Sequence, residues 1–500
     1  MRSSEGVIAR RRRSALARRA RGLVACLAFA WSPVARAQTE APEPGSDAGP
    51  PVPPDAPSGR VVTYGPARAE AVRGAPMRAC SFHEAVCVWG RAGDEPTSRA
   101  VLAHAEAAFA GLHGPLRMAR PEPGQLTGAF DLILVDGEVE GEIVLDERDP
   151  RSPLDRGGGY GRLSRRLDRG CALQVAVTRL VVRGLLLRTA PGADEGSAQA
   201  EAQAVTELLV PCAPVRATAA YLTFQEHPER ALVSRVAGES GGRFEALHEP
   251  ALWGLRTVDD RVDDRAGAPQ AVGTALFYRW LDRGYGTEPG AVLRGLIALR
   301  AHKTPPGSVR WVNEPDAFDV LGKSFAGSLF EGSKLEDLLL EFALSRAHFG
   351  PEAPGGVQAS GASAALGDAP PVRVDWDVPW PATPRRLAPA YPLEPTGASY
   401  VVVHTAGAAP GARLRVEAAW EDHAKLRLGF MRIDKAGREL SRGRIANPPS
   451  AREAQMSIAD LDQTERVVIV VTNAGDPSFH FDPDDVVFEP HSYGLIIAPE

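Results

Sequence analysis

"CALQVAVTRLVVRGLLLRTAPGADEGSAQAEAQAVTELLVPC", residues 171–212, decides how the first half of this 500-residue chain is read. Apolar residues recur at helical spacing on both sides of Ala190-Pro191-Gly192, so the stretch predicts two helices joined by a tight turn. A cysteine stands at each end. The first helix carries Arg179 and Arg183 four residues apart, which places both on one face. The second carries Glu195 and Glu201. In the simplest reading, Leu180, Val181, Leu185 and Leu187 pack, the two arginines lie on a solvated face, and Asp194 caps a helix.

Working outward, an export signal is expected at the N-terminus. Arg10–Arg13, Arg18, Arg19 and Arg21 precede the short apolar core 22–31, and Ala35-Arg36-Ala37 offers a cleavage site. Leu23-Val24-Ala25-Cys26 has the outline of a lipoprotein box, but little apolar sequence precedes it. The arginine run also permits the twin-arginine route. Removing residues 1–37 takes away nine arginines and one glutamate. That leaves 48 basic and 62 acidic side chains, a net charge of −14. An acidic exported chain is poorly suited to phosphate contacts with nucleic acid or to anionic membranes. After the signal no apolar run reaches about eighteen residues, so no later membrane span is expected.

Four cysteines remain, Cys80, Cys87, Cys171 and Cys212, and in an oxidising compartment they suggest two disulfides. Three pairings are possible. Cys80–Cys87 and Cys171–Cys212 are favoured because each pair brackets one local unit. The alternative is buried free thiols; a zinc site is disfavoured by the lack of C-x-x-C spacing.

The domain plan follows composition. Residues 38–58 are rich in proline and acid and read as a disordered tether. Residues 60–350 form an α+β unit. It has strands at 83–89, 130–138 and 141–147, and a helix over 98–112 capped by Thr97 or Ser98. The Gly- and Arg-rich stretch 155–170 reads as a mobile loop. Helices follow at 271–282, at 289–301 with Pro289 in the first position, and at 334–348 with Ser333 and Glu336 as a capping box. Residues 351–395 are a linker and strap with Trp376 and Trp380 as anchors, and 396–500 show strand after strand, as in a β-sandwich. The fold class is therefore α+β: a small β-α-β lobe, a helical lobe, then an all-β sandwich.

Several chemistries lack a motif. No H-E-x-x-H, phosphate loop or dinucleotide fingerprint occurs; His83-Glu84 and His248-Glu249 begin the first and do not finish it. Gly238-Glu239-Ser240-Gly241-Gly242 matches G-x-S-x-G in letters but lacks the following helix, and reads as a turn. Asp482, Asp484 and Asp485, with Asp476 and Glu489 nearby, are weak calcium candidates without calcium-loop spacing. His423, His480 and His491 read as surface or capping residues.

The order strand, helix, strand, edge strand, long helix, second helix, further helices and sandwich resembles a zincin metallopeptidase of the gluzincin type. That resemblance implies zinc held by two histidines and a third, carboxylate ligand on the next helix. Laid on Arg179-Leu180-Val181-Val182-Arg183, it puts arginine at both histidine positions and leucine at the catalytic base. Glu195-Gly196-Ser197-Ala198 is similar to the family's E-G-x-A. In a tight hairpin, however, Glu201 is level with Arg183 and available to pair with it, whereas Glu195 stands about 8 Å too high at about 1.5 Å per residue. The chain from about residue 78 also resembles a group of exported proteins of GC-rich bacteria, through WPATPRRL (380–387), PTGASY (395–400), RLRVEAAWE (413–421), and FDPDD with EPH (481–485, 489–491). That second resemblance implies no function.

The reading is an exported, non-catalytic protein without a cofactor. It binds a peptide, glycan or envelope partner in a peptidase-like cleft. The alternatives are a hydrolase using carboxylates such as Asp259, Asp260, Asp263 and Asp264, and a structural envelope protein.

Overall fold

A computed structural model describes residues 66–124, 127–137, 140–148, 152–193, 195–232, 257–258, 261–262, 269–305, 311, 315–326, 335–349, 369–421, 424–445, 451–475 and 490–500. The expected export signal, the 38–58 tether, Ser333, the 238–242 glycine motif, His248, Asp259, Asp260, Asp263 and Asp264 lie outside the described residues. So do the aspartates of 476–485, Glu489, His423 and His480.

The first sheet is built from β1 (Met77–Cys80), β2 (Val86–Gly90), β3 (Phe130–Val135), β4 (Glu142–Arg148) and β5 (Gly157–Ser164). Its order is β1-β2-β3-β5-β4. Strands β2, β3 and β5 run parallel, and β1 and β4 are antiparallel edges. β3, FDLILV, is buried through its first five residues, as befits a strand covered on both faces. Helix α1 (Pro66–Arg73) covers one face, where Ala71, Val72 and Ala75 pack on Ile133 and Tyr160. Its Arg68 crosses that face to Asp131 (3.2 Å) and Asp146 (2.6 Å). A Cβ at Gly124 would lie 1.8 Å from the Arg68 Nη1, so only glycine leaves room for this side chain. Helices α2 (Glu95–His113) and α3 (Cys171–Thr189) cover the other face. Helix α2 begins at Glu95, ahead of Thr97 and Ser98, which are buried within it rather than capping it.

The expected loop at 155–170 is instead largely strand β5. Its glycines are what allow α3 to approach. A Cβ at Gly159 would meet the Val144 carbonyl oxygen at 2.5 Å and Leu187 Cδ1 at 2.9 Å, and one at Gly161 would meet Leu132 Cδ2 at 2.7 Å. Composition alone read these glycines as flexibility, whereas here they serve close packing.

The helical lobe continues with α4 (Glu195–Leu209), α5 (Ala213–Arg216) and α6 (Thr218–Glu226). A short ladder of β6 (Thr257–Val258) and β7 (Arg261–Val262) follows, then α7 (Pro269–Gly273), α8 (Ala275–Tyr285), α9 (Ala291–Leu299), α10 (Ala317–Val320) and α11 (Leu335–Arg346). Pro289 stands before α9 rather than in its first turn. The α9 start is capped from outside by the Asp282 carboxylate, which accepts from the Gly290 and Val292 N–H groups at 2.7 and 3.0 Å.

Two further sheets follow. One has the order β13-β12-β15-β10-β8 and the other β14-β11-β16-β9. The strands are β8 (Trp376–Val378), β9 (Arg385–Leu387), β10 (Ala398–His404), β11 (Leu414–Trp420), β12 (Leu426–Ile433), β13 (Glu439–Arg444), β14 (Glu453–Ile458), β15 (Arg466–Asn473) and β16 (Tyr493–Pro499). Val401, Val403, Val467 and Ile469 of the first sheet share a core with Leu414, Val416, Leu495 and Ile497 of the second, which is the sandwich arrangement. The first sheet is buried on its other face too. Tyr400, Val402, Met431 and Val468 pack on Leu340, Ala343 and Leu344 of α11. The opposite side of α11 (Leu338, Leu339, Phe342) belongs to the helical lobe's core. The helix thus joins the two regions.

The strap supplies an edge strand to each sheet, β8 beside β10 and β9 beside β16. Trp380 packs on the sandwich core. Trp376 is 39% exposed and is fixed by its indole N–H, which donates to the Ala388 carbonyl. It is a surface residue, not a buried anchor. Disulfides join Cys80 to Cys87 and Cys171 to Cys212, and no helix among the described residues is long and apolar enough to cross a membrane. The disulfides are compatible with export.

Candidate functional site at the helical hairpin

Helix α3 is buried nearly all round, and α4 is buried from Gly196 to Thr206. Small residues let α4 sit among its neighbours at close range, and its only charges are three glutamates spaced six apart. Six residues turn a helix by about 240°, so successive glutamates point in three different directions. Each meets an arginine on a different segment. Glu195 Oε2 lies 2.7 Å from Arg183 Nη2 of α3. Glu201 is bonded to Arg300, just past α9. Glu207 Oε2 lies 2.8 Å from Arg279 Nη1 of α8. Gln199 donates to Glu195 at 3.0 Å and Gln203 to Glu207 at 2.8 Å, so amides on the same helix support the outer two carboxylates. Burial pushes the Glu201 carboxyl up from its ordinary value, and the Arg300 guanidinium opposes that rise.

The expected pairing of Glu201 with Arg183 is therefore corrected: Arg183 takes Glu195. Only a tight turn at Pro191 would put Glu201 level with Arg183. Helix α3 ends at Thr189 and α4 begins only at Glu195, and that carboxylate reaches Arg183 directly, so α4 starts level with Arg183. Arg183 is also not on a solvated face, because its side chain is 7% exposed. One turn earlier, Arg179 Nη2 lies 3.8 Å from Glu140 Oε2, and the other oxygen of Glu140 is 3.2 Å from Arg216 Nη2. Leu180, between the two arginines of α3, is buried against Gly141 and Gly161.

These residues do not fit a zinc ion. Guanidinium groups are permanent cations without a lone pair to donate, and Leu180 has neither donor nor base. Glu195, the carboxylate at this spot among the described residues, is engaged by Arg183. The arrangement holds two helices together through charge, and its accessible part is the cluster Arg179–Glu140–Arg216.

Arg300, Arg279, Glu140 and Arg216 escaped the sequence reading, since their partners are far away in the chain. A signal for the first two was present. Isolated glutamates in an otherwise uncharged, alanine-rich helix require buried cations somewhere. Elsewhere, His491 Nδ1 lies 3.1 Å from Glu421, a partly buried surface pair. His83 is exposed on the loop closed by Cys80–Cys87.

No family model and no curated protein matches this chain. Among solved structures, it is similar to the pre-peptidase C-terminal domain of collagenase from Bacillus anthracis, at 8% identity over 26% of this chain and 97% of that one, with a TM-score of 0.16. It is also similar to PliG of Aeromonas hydrophila, a periplasmic inhibitor of g-type lysozyme, at 12% identity over 25% of this chain and 99% of that one, with a TM-score of 0.15. Likenesses of this size carry no functional argument.

Proposed function

We propose that the chain is an exported, non-catalytic binding protein whose first lobe keeps a zincin-like frame, with an ion pair where that frame would hold metal. Its partner is a peptide, a glycan or another envelope component. The observation that carries this reading is the 2.7 Å contact of Arg183 with Glu195. It sets the residue aligned with the second histidine against the residue aligned with the third ligand. The strand order, with an antiparallel edge strand β4 beside β5 and α3 directly after β5, supports the same frame. Two disulfides support an exported location.

The test is an activity assay on protein taken from a periplasmic fraction, using unfolded protein substrates and a mixed peptide library with zinc supplied. The expected result is no cleavage above a buffer control. Cleavage that is abolished by a chelator and restored by zinc would overturn the reading.

A further inference from the structure

Strands β1 and β2 bring four side chains onto one face. Arg78 stands opposite Trp89, and Cys80, two residues on, stands opposite Cys87. The two cysteines are joined across the strand pair. The Arg78 guanidinium lies over the Trp89 ring, 5.3 Å from its centroid. It donates to both sulfurs, from Nε to Cys80 Sγ at 2.7 Å and from Nη2 to Cys87 Sγ at 3.4 Å. Trp89 is held in turn by its indole N–H, which donates to Asp131 at 2.8 Å. No carboxylate pairs with Arg78 among the described residues, so its charge is directed at the disulfide. Access differs between the two sulfurs: Cys80 is partly exposed, whereas Cys87 is buried. The other disulfide lacks the cation. Cys171 and Cys212 pack on Val175, Val210 and Ala213, and no guanidinium bonds to their sulfurs among the described residues.

A neutral disulfide gains little from a neighbouring cation, and a thiolate gains much more. Arg78 therefore favours the reduced pair and eases the departure of a sulfur as thiolate. The loop 81–86 has other ties that survive reduction. The Ser81 N–H donates to the Val86 carbonyl at 3.0 Å, and the Ser81 hydroxyl accepts from the His83 and Glu84 N–H groups, each at 3.0 Å. We infer that Cys80–Cys87 is a reversible thiol-exchange site, reduced by dithiols, while Cys171–Cys212 is a structural cross-link. One thiolate of the dithiol attacks Cys80 Sγ. The bond between the cysteines breaks, and its electron pair leaves on Cys87 Sγ beside Arg78. The second thiolate of the dithiol then attacks the dithiol's first sulfur in the mixed disulfide and releases the Cys80 thiolate. The dithiol departs as a disulfide, two electrons have passed to the chain, and its two protons go to the cysteines or to water.

The test incubates the full chain in dithiothreitol buffers of graded reduced-to-oxidised ratio, quenches with acid and alkylates the free thiols. Peptide mass spectrometry then reads each cysteine pair. Cys80–Cys87 is expected to be half-reduced at a ratio at least about tenfold lower than Cys171–Cys212 needs, which corresponds to about 30 mV. Arg78→Gln raises the ratio needed at Cys80–Cys87 about tenfold, and Arg78→Lys, which keeps a cation there, recovers part of that shift. The Cys171–Cys212 midpoint stays where it was in both variants and so reports that the fold is intact. Equal midpoints for the two disulfides in the native chain overturn the inference. So does an unmoved Cys80–Cys87 midpoint in Arg78→Gln, or a shift of the same size at both disulfides.

Discussion

Glu201 and Arg300 face each other inside the helical lobe with their side chains only 1% and 2% exposed. A buried ion pair of this kind contributes little net stability compared with apolar residues, yet removing one partner strands the other charge without water. Arg300→Met is therefore expected to destabilise the protein by about 3–5 kcal/mol, and Glu201→Met/Arg300→Met to recover most of that loss. Guanidinium unfolding of the two single variants and the double variant measures the coupling. Simple additivity would show that the pair is not the interaction it is taken to be.

Gly159 tests whether 157–164 is a packed strand. The Cβ of Gly159→Ala would collide with backbone at Val144, which cannot move as a side-chain tip can. A loss of about 2–4 kcal/mol is expected. At Gly407, where φ is 84° and a Cβ meets nothing within 4 Å, the cost of alanine is only the backbone strain of about 1–2 kcal/mol. Comparing the Tm values of the two variants checks the difference.

The disulfides should differ in weight. Cys171–Cys212 closes a separation of 41 residues and Cys80–Cys87 one of 7. Chain entropy then assigns about 4 and about 2 kcal/mol to them. Replacing each pair by alanines and measuring urea unfolding should show the larger loss for the hairpin pair, together with easier proteolysis of 171–212.

Acid should loosen the contact between α11 and the sandwich. Burial alone would raise the Glu439 carboxyl, but the Arg442 guanidinium at 2.6 Å and His348 at 3.1 Å outweigh it and hold the carboxyl at about 2. A folded value below the ordinary 4.5 means that Glu439 contributes its stability above pH 4.5 and loses it as pH falls toward 2. Glu439→Gln is expected to cost about 2–3 kcal/mol at neutral pH and to flatten the stability profile across that window. An unchanged acid limb would contradict this.

The paired helices, the sandwich strands and the central strand β3 were legible because their apolar residues repeat at 3.6 or 2, and local burial sets those periods. What the sequence hid was long-range. Nothing near Glu201 points to Arg300, 99 residues away. The glycines of β5 read as flexibility because their purpose lies on α3. The helix over 334–348 was legible from its spacing, but not that its two faces belong to different cores. At the hairpin, the arginine face was legible from four-residue spacing. The identity of its partner glutamate was not, because it depended on how far the connection after Thr189 runs before α4 begins.

The central claim is that Arg183 and Glu195 hold the place of a metal. Its most direct test is the metal content of the chain purified from a periplasmic fraction without chelators, read by mass spectrometry beside a thermal melt with and without a chelator. Less than about 0.1 zinc per chain and an unchanged Tm are predicted, since structural zinc adds folding free energy where it is bound. One zinc per chain, with a Tm that drops on chelation, would contradict the account.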